Sequence, residues 1–199
     1  MNLAEFFPDL DPAKIAELTD YNKDLDVLAS KKISIQFNNK GKDHAILVMS
    51  KIFSCSHKNV KIFARDFNGE ISDNRLYLNN LDAFLNKSKD NTVQVIFEKD
   101  PNPKSKALEL LRNKKIKNPK QVILKRATEK QIESFKTYLV NEEGMINFTI
   151  GDNESGVFDK YRCETDTSKF IAVLNFDDQK FCATLNKLYK ILETDSIPI

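Results

Sequence analysis

The chain has 199 residues, with 31 Lys and Arg against 29 Asp and Glu, a net charge of +2, and 41% hydrophobic residues. That length and balance fit one folded α/β domain with a small extension and exclude disorder, and the near-neutral total excludes a general basic field suited to coating nucleic acid. No apolar run approaches the ~20 residues that span a bilayer, and the N-terminus, MNLAEFFPDLDPAKIAEL, lacks the basic and apolar regions of a secretory signal, so a cytoplasmic protein is expected.

Charge is unevenly distributed. Lys104 to Lys130 holds ten basic residues against Glu109 and Glu129, whereas Glu142 to Asp178 holds nine acidic residues against Lys160, Arg162 and Lys169. Adjacent basic and acidic segments of this kind can complement each other within a subunit or between subunits. Cys55, Cys163 and Cys182 are scattered, with no pair at metal-ligand spacing, and are read as reduced, partly buried thiols; no metal and no cofactor is expected.

Residues 1 to 30 form a helical leader: Asp11-Pro12 marks a first helical turn, Ile15, Leu18, Leu25 and Leu28 recur near helical spacing, and Phe6, Phe7 and Leu10 need apolar cover. The α/β domain then occupies residues 31 to 199. KISIQF, Lys32 to Phe37, alternates as a half-buried strand and ends at an Asn-Asn-Lys-Gly turn; Asp43 opens a helix, HAILVMSKIF, apolar nearly all round and hence buried. Val60–Ala64 is a strand ending near an Asn-Gly turn. Tyr77–Asn86 is a helix, Val93–Phe97 a strand, Lys106–Lys114 a helix capped by Ser105, Val122–Leu124 a strand and Glu129–Val140 a helix. Strands alternating with helices of this length predict an α/β fold with a mostly parallel mixed sheet flanked by helices.

The last stretch, Met145 to Leu192, reads as a strand (Ile146, Phe148, Ile150), a polar loop with two glycines, a mixed strand Tyr161–Glu164, an apolar strand Ile171–Leu174 and a helix Gln179–Glu193; the tail SIPI is read as loose. This order, with VKIFARDFNGEIS and VQVIFEKDPNPKSKALELL feeding helices and IAVLNFDDQKFCATLNKLYKIL closing the chain, resembles one half of a phospholipase D-like protein, from about Lys32 to Leu192. In that family a strand carries His-x-Lys-x4-Asp, the histidine attacking phosphorus and the lysine holding phosphate oxygens. Those positions fall here on Asn147, Thr149 and Glu154, and the Gly-Ser/Gly-x-x-Asn that follows in the family is absent. The resemblance therefore implies the fold of a phospholipase D-like half without its catalytic set.

Asn147, Thr149, Asp152, Arg162, Glu164 and Asp166 are the candidate ligand or interface residues, with a salt-bridged surface as the competing reading; alternate residues of a strand share a face. Arg112, Lys114, Lys115 and Lys117 are candidate phosphate contacts, although no aromatic is interleaved for base stacking. His44 and His57, the only histidines, have no neighbour at triad or metal spacing; Cys55 lies two residues from His57, and Asp66 ends an apolar strand where α/β sites gather. The expectation is a non-catalytic phospholipase D-like binding or assembly module, an accessory or sensor subunit of a bacterial defence-type system. Its partner would be a second copy or a co-encoded protein, with nucleic acid as a further candidate and no membrane. The alternative is a phosphodiesterase or nuclease whose nucleophile has moved to His44 or His57 and which acts as a dimer.

Overall fold

Asp11 caps the first long helix by accepting from the Lys14 amide at 2.9 Å, and Pro12 takes the first helical position, where its missing N–H leaves no bond unmade. This helix, α1, spans Pro12–Ser30 and buries Leu18 and Leu25 completely; before it, a 3-10 turn at Leu3–Glu5 brings Leu3 and Phe7 into the same core, with Phe6 and Leu10 packed against it. The N-terminal aromatic residues thus dock on the chain's own core. The structure, a computed structural model, describes residues 1–33, 37–67, 69–137, 147–152, 155–161, 171–176 and 178–199.

The remaining elements are β1 (Phe37–Lys40), α2 (Gly41–Cys55), β2 (Asn59–Ala64), α3 (Arg75–Lys87), β3 (Thr92–Phe97), α4 (Lys106–Lys117), β4 (Val122–Arg126), α5 (Glu129–Thr137), β5 (Phe148–Gly151), β6 (Ser155–Tyr161), β7 (Ile171–Phe176), α6 (Gln179–Glu193) and β8 (Ile197–Pro198). Three segments differ from their sequence reading. Asn38-Asn39-Lys40 is strand, not turn, because Gly41 alone, at φ 78°, makes the change of direction into α2. The polar two-glycine loop is largely strand β6, and the tail SIPI is held: Ile197–Pro198 pairs with Lys125–Arg126, and the Ile199 amide donates to the Leu124 carbonyl at 3.1 Å. Pro198 fits there because an edge strand tolerates a missing N–H.

Among the described residues the sheet has eight strands, ordered β1-β7-β6-β5-β2-β3-β4-β8. It is a mixed sheet flanked by helices, as expected, but its balance differs: only β2–β3 and β3–β4 are parallel, and the other pairings are antiparallel. Helical crossovers α3 and α4 enforce the parallel pairs, whereas β5, β6 and β7 follow as a meander, whose neighbours must run in opposite directions. Alternation along the strands separates two cores. Ile62, Val95, Phe97 and Leu124 meet helices α1 to α4, while Phe63, Ile96, Phe148 and Ile150 meet α5 and α6. In the second core the rings of Phe63, Phe135 and Phe148 lie 5.1 to 6.2 Å apart, with Tyr189 edge-on to Phe148 at 6.3 Å.

Candidate functional site

β2 is the strand at which the sheet changes character: parallel β3 lies on one side and antiparallel β5 on the other, so the carboxyl end of β2 adjoins the amino end of β5, with Phe63 opposite Phe148. Crevices of open α/β sheets form at such reversals. Beyond Ala64 the chain is held by the segment after β3: the Glu98, Lys99 and Asn102 amides donate to the carbonyls of Ala64, Arg65 and Asp66 at 2.9, 2.9 and 2.7 Å. Phe67 then takes a left-handed backbone, φ 53°, and packs edge-on against Phe97 at 5.0 Å.

This arrangement leaves a cavity of about 100 Å³ over the end of β2, roofed by Val48 and Met49 of α2 and by Tyr77 of α3. Its walls are mainly apolar. Among the described residues, Arg65, Asp66, Ser72, Asn147 and Thr149 bring polar groups to it beside the Tyr77 phenol. Arg65 Nε lies 3.9 Å from Asp66 Oδ2, Thr149 is 3% exposed, and the Ser72 hydroxyl oxygen is buried without a hydrogen-bond partner among the described residues. Burial, and secondarily the nearby Asp73 carboxylate, raises the Tyr77 phenol well above its ordinary pKa. A small group with an apolar body and one or two hydrogen-bonding atoms matches such a lining.

The structure brings Asn147 and Thr149 together on this wall. Asp152 lies at the other end of β5, where, at φ 50°, its carboxylate accepts from the backbone amides of His57, Lys58 and Asn59, the last two at 2.9 and 2.8 Å. Arg162, Glu164 and Asp166 lie outside the described residues, as do Glu154 and Cys163. Asp66, Arg65 and Ser72 join the lining; of these the sequence singled out only Asp66, and an isolated Ser or Arg carries no spacing signal that would have found the others.

Neither histidine lines the cavity. His44 is buried on α2, edge-on to Tyr21 at 4.3 Å, with Nε2 3.4 Å from Glu17 Oε1. His57 is exposed beyond α2, with Nδ1 3.2 Å from Lys87 Nζ. Cys55 is exposed, contrary to expectation, because it sits in the last turn of α2, whereas Cys182 is buried as expected. Among the described residues no group of three His, Cys, Asp or Glu could hold a metal ion, and no helix is long and apolar enough to cross a membrane. On α4, Lys114 is engaged by Asp82 at 2.7 Å and by Asn86, and Lys115 donates to the Ile199 carbonyl at 2.9 Å; Arg112 and Lys117 are exposed.

The two βαβ units, the following meander and the crevice at their junction define a phospholipase D-like α/β half. Solved structures bear this out at the level of fold. The chain is similar to a phospholipase D family member, Nuc, from Salmonella typhimurium, at 11% identity and a TM-score of 0.54, over 83% of this chain and 99% of that one. It is similar to NucT from Helicobacter pylori at 14% identity and TM-score 0.51, over 83% of this chain and 100% of that one. It also resembles the archaeal chromatin protein TrmBL2 at 13% identity and TM-score 0.53, spanning 92% of this chain and 63% of that one. No family model matches the sequence, and no curated protein matches it.

Proposed function

We propose that the chain is a non-catalytic phospholipase D-like binding or assembly module. The observation that carries this reading is the pair Asn147 and Thr149. They occupy the positions that resemble the family's nucleophile and phosphate-holding cation, and they line the cavity at the end of β2 with a neutral amide and a hydroxyl. An amide nitrogen cannot attack phosphorus as an imidazole does, and a threonine hydroxyl brings no positive charge to a phosphate. We further propose a cytoplasmic accessory or sensor subunit of a bacterial defence-type system, paired with a second copy or a co-encoded protein. Nucleic acid is a second candidate partner: TrmBL2 is described as binding DNA, and Arg112 and Lys117 remain exposed on α4.

Turnover decides between this reading and a relocated nucleophile. A screen of phosphodiester substrates, with and without divalent metal, is expected to give no hydrolysis, and sedimentation at several concentrations is expected to give a dimer. Hydrolysis that disappears in His44→Ala or His57→Ala would replace the proposal with the enzymatic alternative. A strict monomer that captures no co-encoded protein and no nucleic acid would remove the assembly role.

A further inference from the structure

On the opposite face of the sheet, strand β2 carries a lysine where its neighbours Val60 and Ile62 are buried apolar residues. Lys61 points toward α6, and its ammonium rests on neutral partners: Nζ lies 2.8 Å from Asn186 Oδ1 and 5.5 Å from the centre of the Tyr189 ring. The groove around it has a volume of about 640 Å³ and is shared by Lys187 and Lys190, exposed one helical turn apart on α6, and by Gln179. None of these three lysines forms an ion pair among the described residues. Among the described residues the carboxylate in the lining is Asp152, which is occupied by three backbone amides, and the attraction of Glu193 is offset in part by Lys190. Desolvation is the largest influence on Lys61 and lowers its pKa, with the attraction of Glu193 too small to offset it.

We propose that this groove is a phosphate-binding site, in which Lys61 at the base and Lys187 and Lys190 at the rim hold the oxygens of a phosphate group while Gln179 supplies a neutral hydrogen bond. Three ammonium groups converging on one concavity match a multiply charged oxyanion better than a carboxylate peptide, because each can donate to a different oxygen. A volume of about 640 Å³ falls in the range of roughly 300–1,000 Å³ usual for small-molecule sites, enough for a nucleotide or for one phosphate of a longer strand. The site lies across the sheet from the cavity lined by Asn147 and Thr149, involves none of the α4 cations, and does not rest on the non-catalytic reading.

The test is an amide-shift titration of the isotopically labelled full chain with inorganic phosphate, adenosine monophosphate and a short single-stranded oligodeoxynucleotide in turn. The expected result is saturable shifts at Lys61, Ala183, Asn186, Lys187 and Lys190 that diminish with salt. Shifts with phosphate or the mononucleotide assign the site to a small phosphate-bearing ligand, and shifts with the oligonucleotide alone assign it to a nucleic-acid backbone. Lys187→Gln with Lys190→Gln changes only exposed side chains and should weaken binding about tenfold or more, since charge-assisted hydrogen bonds are lost. Lys61→Met should do the same if it folds; if it does not, the exposed pair carries the test. Absence of α6 shifts with all three probes, or unchanged affinity in the double variant, would overturn the proposal.

Discussion

Asp152 joins two features that a single residue rarely combines, a left-handed backbone and a carboxylate accepting from three consecutive amides at the start of β2. Aspartate and asparagine are among the few residues that tolerate that backbone. Asp152→Ala should cost about 1–3 kcal/mol in urea unfolding, and Asp152→Asn clearly less, because one acceptor oxygen remains. Equal losses for the two variants would show that the full carboxylate with both its oxygens, and not the backbone conformation that asparagine also tolerates, sets the cost. The phenols give a second residue-scale prediction. Burial raises the pKa of Tyr21, Tyr77 and Tyr189 above the ordinary value of 10.0, with Asp73 and Glu193 adding to the last two. A raised folded pKa contributes stability that is fully present below the unfolded value and is lost as pH climbs through the folded one. Phenolate absorbance should therefore leave these three tyrosines silent near pH 10.0 and reveal them together with alkaline unfolding. Free titration of all five tyrosines near pH 10.0 in folded protein would mean that water reaches them.

At the scale of elements, Gly156 shows why the segment after β5 misleads a reader of sequence. Glycine beside Asp, Asn, Glu and Ser signals a turn, yet here it sits under α6, where an added Cβ would come within 2.9 Å of Leu185 Cδ1 and 3.3 Å of Phe181 Cε1. The glycine serves close packing of a helix on a strand. Gly156→Val should destabilise by about 1–3 kcal/mol through overpacking, measured by urea unfolding, and Leu185→Ala should recover part of that loss by making room. A neutral Gly156→Val would mean that α6 stands off the sheet. The helices were legible because their apolar residues recur at helical spacing and their caps are explicit: Ser105 accepts from the Leu108 amide, Asp178 from Phe181 and Asn74 from Leu76. The tail was not, since two residues that pair only with a distant edge carry no period.

For the whole molecule, the fold class and the βαβ half were readable from alternation of strands and helices, but the sense of the meander was not, because nothing local in VFDKY or IAVLNF states whether a strand returns parallel or antiparallel. The same limit applies to sites. The cavity and the α6 groove gather residues far apart in sequence: Arg65 and Asn147 in one, Lys61 and Lys190 in the other. Basic residues crowded together on α4 were conspicuous in the sequence, while the cations that converge in space are separated by more than half the chain.

The pairing of Phe37 with Leu174 bears on the order in which the molecule assembles. β1 precedes α2 by no intervening residue, yet among the described residues its sheet neighbour is β7, so its ladder waits until the meander exists. Closing so long a loop is entropically slow, whereas β2, β3 and β4 meet across short crossovers. A chain emerging from the ribosome would therefore carry α2 and the central strands in place while Phe37–Lys40 still waits. In refolding followed by pulsed hydrogen exchange, the amides of Phe37–Lys40 should gain protection together with those of Ile171–Phe176 and after those of Asn59–Ala64. Protection of β1 in step with α2 would mean that the edge forms without its partner.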